Sequence, residues 1–168
     1  MSGPKIVLVG MPGAGKSTFG RQLADVLKYD FADLDDVIEA RTGKRIPELF
    51  KVSEEYFREE ETAALQEVMA GEKPLIIASG GGTPCFNDNM NVIRKHAISV
   101  FLDPPMTILI HRTEQESHRP LLQGKDVTQR LAELYAERES YYQQAHIRLK
   151  EATPSAQKVI DLIDSIRN

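Results

Sequence analysis

The nonapeptide Gly10-Met11-Pro12-Gly13-Ala14-Gly15-Lys16-Ser17-Thr18 stands between an apolar run, Ile6 to Val9, and a stretch with helical periodicity. Its Gly10, Gly15, Lys16 and Ser17 satisfy G-x-x-x-x-G-K-[ST], with a strand before and a helix after, the context this pattern requires. Glycine lets backbone N–H groups turn inward and come close to an anion without an intervening Cβ. The helix N-terminus adds partial positive charge, Lys16 reaches the β- and γ-phosphates, and the Ser17 hydroxyl is suited to ligate Mg²⁺. The stretch is therefore read as a cradle for a magnesium–nucleotide, with Gly13, Ala14, Gly15, Lys16, Ser17 and Thr18 around the phosphates.

Outward from this loop, strand and helix patterns alternate. Helix is expected from Lys16 to Lys28, with Phe19, Leu23, Val26 and Leu27 forming one inward stripe. A second strand is expected over Tyr29–Leu34. Ser53, followed by Glu54 and Glu55, reads as the cap of a helix running to Ala70. Strands are expected at Leu75–Ala78, Ile98–Leu102 and Ile147–Leu149. Helices are expected from Asp103-Pro104-Pro105 to Arg112, over Val127–Gln144 and over Ser155–Arg167. Residues 113–126 are polar and without clean period. This alternation predicts one α/β domain over residues 1–168, three layers deep, with a central parallel sheet of about five strands flanked by helices. Ligands of such sheets gather beyond the carboxyl ends of the strands.

Composition narrows the partners. The 168 residues are 41% hydrophobic and 27% charged, with a formal net charge of −4. That balance disfavours nucleic acid and anionic membranes, both of which reward excess Lys and Arg. No segment has the apolar length of a membrane span or signal peptide. The one cysteine, Cys85, rules out an internal disulfide, so the cytoplasm is the expected compartment. Cys85 itself reads as an incidental small residue. His96, His111, His118 and His146 lack metal-ligand spacing and read as solvated or helix-end residues.

Several residues near strand ends carry chemistry. Asp33 and Asp35, two apart in an extended segment, face one side. One suits Mg²⁺ and the other an acceptor hydroxyl; the plainer alternative is an N-cap for a helix starting near Asp36. Asp103 is the rival metal-side acid, although its two prolines favour a cap or turn role. Gly80, Gly81 and Gly82 form either a plain loop or a surface on which substrate lies directly. Arg58 and Glu61, at i and i+3, are either surface decoration or a locked guanidinium fork for a carboxylate. Arg119 lies in the irregular segment, placed to swing over phosphates and exclude water. Arg138 beside Tyr141 and Tyr142 is a further anion contact.

In order along the chain, GMPGAGKST (10–18), ADLDD (32–36), RTGKRIPELF (41–50), FREEE (57–61), SGGGTP (79–84), HRPLL (118–122) and RESYY (138–142) resemble the shikimate kinase family. The resemblance implies a P-loop kinase fold with a mobile lid at about 113–126 and a substrate-binding helical segment at about 36–62. It implies transfer of phosphate from ATP to the 3-hydroxyl of shikimate, in chorismate and aromatic amino acid biosynthesis. It assigns Lys16, Asp35 and Arg119 to catalysis, Ser17 and Asp33 to Mg²⁺, and Arg112, Arg119 and Ser155 to ATP. Asp35, Arg58, Gly80, Gly81, Gly82 and Arg138 would bind shikimate. Members often carry a basic adenine clamp near the C-terminus, whereas Ala152 to Ala156 hold no Arg or Lys, leaving Pro154 and backbone. A monomer with ATP and shikimate as its small-molecule partners is expected. The alternatives are a kinase of gluconate or of a nucleotide, disfavoured by FREEE and SGGG, and a non-catalytic nucleotide-binding module. Such a module has no need of Asp35 or Arg119.

Overall fold

The computed structural model describes residues 3–116 and 126–168. Ile6–Val9 (β1), wholly buried, is the centre of a five-stranded sheet. The other strands are Asp30–Asp33 (β2), Leu75–Ala78 (β3), Ile98–Leu102 (β4) and Ile147–Leu149 (β5), and the order is β2-β3-β1-β4-β5 with every pair parallel. Runs rich in Ile, Val and Leu in β1, β3 and β4, with Ser99 as the one polar residue, fit strands covered on both faces. The α-helices among the described residues are Lys16–Leu27 (α1), Leu34–Thr42 (α2), Ile46–Val52 (α3), Glu54–Ala70 (α4), Asn89–His96 (α5), Met106–Glu114 (α6), Val127–Tyr142 (α7) and Ala156–Arg167 (α8). The fold is the expected three-layer α/β arrangement. Most of the 113–126 segment, including Arg119, lies outside the described residues.

Three expectations are corrected. Val26 is 55% exposed, whereas Phe19, Gly20, Leu23 and Ala24 are buried. The inward stripe of α1 is thus centred on its Gly20–Ala24 side, about a quarter turn from Val26. Small residues there let the helix settle onto the sheet: a Cβ on Gly20 would fall 2.6 Å from the Phe31 ring. Second, α2 begins at Leu34 rather than near Asp36, because the Asp33 carboxylate ends β2 and accepts the Asp35 N–H at 3.0 Å. Asp33 and Asp35 are therefore a cap and a first-turn residue, not an extended pair. Third, Asp103 is no helix cap, since Pro105 holds that position in α6. Its carboxylate instead accepts from Arg148 at 2.6 Å and Tyr135 Oη at 3.1 Å, tying β4 to β5 and α7.

The helices bearing site residues are fixed by burial. Leu34, Ile38 and Leu49 are 0% exposed between α2, α3 and α4. Each such side chain contributes about 1.5–3 kcal/mol. Ser53 caps α4 as expected, accepting the Tyr56 N–H at 3.0 Å. Removing such a cap costs about 1 kcal/mol.

Candidate active site

β1 delivers the glycine loop to the carboxyl edge of the sheet, between β3 and β4. Gly13 and Gly15 adopt φ of 83° and 90°, left-handed values that bend the loop around its interior. Lys16 is 9% exposed and donates to the Gly10 and Met11 carbonyls, each at 2.8 Å, so its ammonium is held at the loop. Ser17 Oγ donates to Asp33 Oδ2 at 2.5 Å, while Asp33 Oδ1 caps α2.

A cleft of about 640 Å³ opens over this loop. Its lining includes residues Gly13 to Thr18 of the loop together with Asp33, Asp35, Gly80, Gly81 and Arg112. Ala152, Thr153 and Pro154 close the far side. Arg112 spans these parts, donating to the Gly13 carbonyl at 3.1 Å and to the Ala152 carbonyl at 3.0 Å. Ser155 stands one residue beyond the lining, where its hydroxyl caps α8 by accepting the Lys158 N–H at 3.4 Å.

Arg58, Gly82 and Arg138 lie behind this lining, packed on the glycine triplet. None of the three glycines has positive φ, so space and not backbone conformation demands them. A Cβ on Gly82 would stand 2.5 Å from Arg58 Nη2, and one on Gly81 3.0 Å from Arg138 Nη1 and 2.9 Å from Pro12. A Cβ on Gly80 would stand 3.0 Å from Glu61 Oε2. Sequence alone allows this loop to be a plain turn or a substrate surface. Gly80 and Gly81 do face the cleft, but the missing side chains also make room for two arginines.

Those arginines differ in their surroundings. Arg58 pairs with Glu61 at 2.8 Å and Glu54 at 3.4 Å, and its guanidinium lies 4.1 Å from the Phe86 ring centroid. Glu61 is itself bound by Thr83 Oγ1 at 2.8 Å. Arg58 and Glu61 are thus a buried fork, not surface decoration. Arg138 is 5% exposed, and among the described residues no carboxylate lies within ion-pair distance of it. A buried guanidinium is costly unless an anion is brought to it.

Pro12, Thr83, Phe86 and Tyr142 join the site although the sequence does not single them out for it. Thr83 carries a usable signal, following the glycines in SGGGTP. Phe86 has nothing to mark it, and Tyr142, although it ends the RESYY stretch, has no role there that its type or spacing assigns. Cys85, nearby, has its thiol pushed up to about 11 by burial, against the opposing pull of Arg138 and Arg58. A thiol raised in this way carries little thiolate near neutral pH. His146 is exposed, as expected, and in addition its Nδ1 accepts the Ser99 N–H at 3.0 Å, clasping β4 to the start of β5.

A parallel sheet with a glycine loop at its centre, an acid-lined cleft and arginines behind it defines a P-loop kinase of a small molecule, using ATP. The family model described as "SKI: Shikimate kinase" matches residues 12–167. A shikimate kinase from Clostridium botulinum (strain 657 / Type Ba4) is 42% identical over 144 residues, 84% of each chain. The solved structure of shikimate kinase from Acinetobacter baumannii in complex with shikimate superposes with a TM-score of 0.91 at 37% identity, over 98% of this chain and 94% of that one. A gluconokinase from Sinorhizobium meliloti 1021 shares the fold alone, at a TM-score of 0.63 and 18% identity over 98% of this chain and 91% of that one. The chain belongs to the shikimate kinase family.

Proposed function

We propose that this protein transfers the γ-phosphoryl group of ATP to the 3-hydroxyl of shikimate, yielding shikimate 3-phosphate and ADP on the route to chorismate and the aromatic amino acids. The observation that carries the acceptor side is the pair of buried arginines on the glycine triplet, with no carboxylate beside Arg138 among the described residues. Shikimate is a small ring bearing a carboxylate and several hydroxyls. Arg58 and Arg138 take the carboxylate, Asp35 receives hydroxyl hydrogen bonds, and Gly80, Gly81 and Gly82 let the ring approach the main chain.

On the donor side, Lys16 and the loop N–H groups hold the phosphates, with Ala14, Thr18 and Arg112 around the nucleotide. Arg119 would close over them from the lid, and Pro154 with the backbone near Ser155 would border the adenine. Ser17 Oγ and Asp33 Oδ2 converge in the cleft, and such oxygen donors fit Mg²⁺. Among the described residues no group of three or more acidic, His or Cys side chains forms a cage, so phosphate and water oxygens would supply the remaining ligands. Held by Ser17 and Asp33, such an ion would neutralise charge on the transferring phosphoryl group. In the transfer the acceptor oxygen forms a bond to the γ-phosphorus as the bond to the β–γ bridging oxygen breaks. Asp35 orients the hydroxyl and takes its proton.

No described helix is long and apolar enough to cross a membrane. A cytoplasmic monomer accords with the single thiol and the small-molecule partners. The deciding experiment offers Mg-ATP with shikimate, gluconate or nucleoside monophosphates and records ADP release. Turnover with shikimate is expected; turnover with another acceptor and none with shikimate would overturn the assignment.

A further inference from the structure

Tyr142, the last residue of α7, is 0% exposed and reaches both Met11 of the glycine loop and Gly81 of the glycine triplet. Its ring is tilted against Phe101 of β4 at a centroid separation of 5.1 Å, so its direction is set by core packing. The hydroxyl then has three neighbours. It donates to the Gly81 carbonyl at 2.5 Å, touches Met11 Sδ at 3.8 Å, and lies in the positive field of the Arg138 guanidinium, whose Nη1 packs against Gly81. Gly81 lines the cleft, Arg138 stands behind it, and Met11 belongs to the glycine loop.

We infer that Tyr142 is a positioning residue for acceptor recognition: its hydroxyl holds the Gly81 carbonyl in the place where the Arg138 guanidinium packs on Gly81, and so sets the glycine backbone and that guanidinium against the bound carboxylate. Arg138 has no carboxylate partner among the described residues, and the peptide it packs on is held by a phenol and not by an acid. The choice matters chemically. An aspartate at this point would neutralise Arg138 and compete with the substrate's anion, whereas a neutral phenol fixes the neighbouring peptide and leaves the guanidinium's charge uncommitted. Burial pushes the phenol's pKa well upward, so it remains a donor throughout the working range. At the other end, a carbonyl and the following N–H share one rigid peptide plane. Holding the Gly81 carbonyl therefore fixes the Gly81–Gly82 peptide, which abuts Arg58 on its other side.

The inference rests on the acceptor reading above, and its test separates the two. Wild-type turnover with shikimate is measured first; its absence removes the acceptor reading and this inference with it. Given that turnover, Tyr142→Phe, which deletes one oxygen and keeps the ring, should raise KM for shikimate roughly tenfold. KM for ATP should stay within about twofold, kcat should fall less than KM rises, and the thermal midpoint should stay nearly unchanged. The disadvantage of shikimate methyl ester relative to shikimate should shrink in the variant, since part of what distinguishes them is the positioned charge. An unchanged KM for shikimate would overturn the inference. A parallel rise in both KM values with a large drop in thermal midpoint would do so too, by showing a merely structural role. Should the phenylalanine variant fail to fold, 4-fluorophenylalanine at position 142 fills the hydroxyl's place without a donor, and the same KM split decides.

Discussion

Arg58 and Glu61, one helical turn apart on α4, form a 2.8 Å ion pair in which the two side chains are 6% and 1% exposed. Glu61 holds Arg58 with one carboxylate oxygen and receives Thr83 Oγ1 on the other at 2.8 Å. Breaking a buried pair by removing one member leaves the other charged and unmatched, which costs about 3–5 kcal/mol. Glu61→Ala is accordingly expected to lower unfolding free energy by about that amount in urea titrations, with the shikimate affinity falling as Arg58 loses its anchor. A loss below about 1 kcal/mol would place the pair among the weak surface pairs that its i, i+3 spacing alone suggested.

Gly82→Ala tests whether space governs the glycine triplet. The added Cβ would meet Arg58 Nη2 at 2.5 Å, Nη1 at 2.6 Å and Cζ at 2.8 Å. Arg58 has little room to yield, being held by Glu61 and faced by Phe86. Calorimetry should show shikimate binding weakened about tenfold, or ~1.4 kcal/mol, with ATP binding nearly unaltered. Unchanged shikimate affinity would mean that the guanidinium shifts freely and is not committed to the acceptor.

The clasp between β4 and β5 predicts a pH dependence. Ser99 N–H can only donate, so His146 Nδ1 must accept, which requires the neutral ring. Burial, and then the positive charge of Arg94, hold the His146 pKa below its usual 6.5. Above 6.5 neither folded nor unfolded chain carries this proton, and the contribution is complete. As pH falls from 6.5 toward the folded-state value, the unfolded chain binds a proton that the folded one refuses, and stability declines. Because the side chain is largely exposed, the effect should be small. Denaturation midpoints of wild type and His146→Asn should converge between about pH 7 and about pH 5. A constant difference across that range would contradict the neutral-imidazole clasp.

What the sequence disclosed and what it withheld divide along physical lines. The glycine loop and its flanks were legible because G-x-x-x-x-G-K-[ST] is local: the spacing itself builds the cradle. The positions of β1, β3 and β4 were legible from short, mainly apolar runs rich in Ile, Val and Leu. Asp103 misled because its partners, Tyr135 and Arg148, are far along the chain, and no local pattern announces an ion pair between β4 and β5. Val26 misled because the inward face of α1 is decided by small residues, Gly20 and Ala24, which hydrophobic periodicity undervalues. The glycine triplet was visible, but its reason was not, since the arginines that occupy the missing Cβ space come from α4 and α7. Tyr142 looked like any core aromatic until its hydroxyl met the Gly81 carbonyl.

The strongest separation of donor from acceptor function should come from Asp35→Asn. Asp35 sits in the first turn of α2, its N–H held by Asp33, and its side chain faces the cleft. Asparagine keeps the size and one acceptor oxygen, so α2 and its cap should persist. What it loses is the charge that orients the acceptor hydroxyl and the capacity to take its proton. General acid–base groups contribute about 10²–10⁴ in rate, so kcat should fall by about that factor. The glycine loop, Lys16 and Ser17 are untouched, and ATP affinity measured by equilibrium titration should remain within about threefold. Turnover near the wild-type rate would exclude Asp35 from the chemical step. Loss of ATP binding instead would place it with Asp33 on the magnesium side, because only a donor-side acid is coupled to the phosphates.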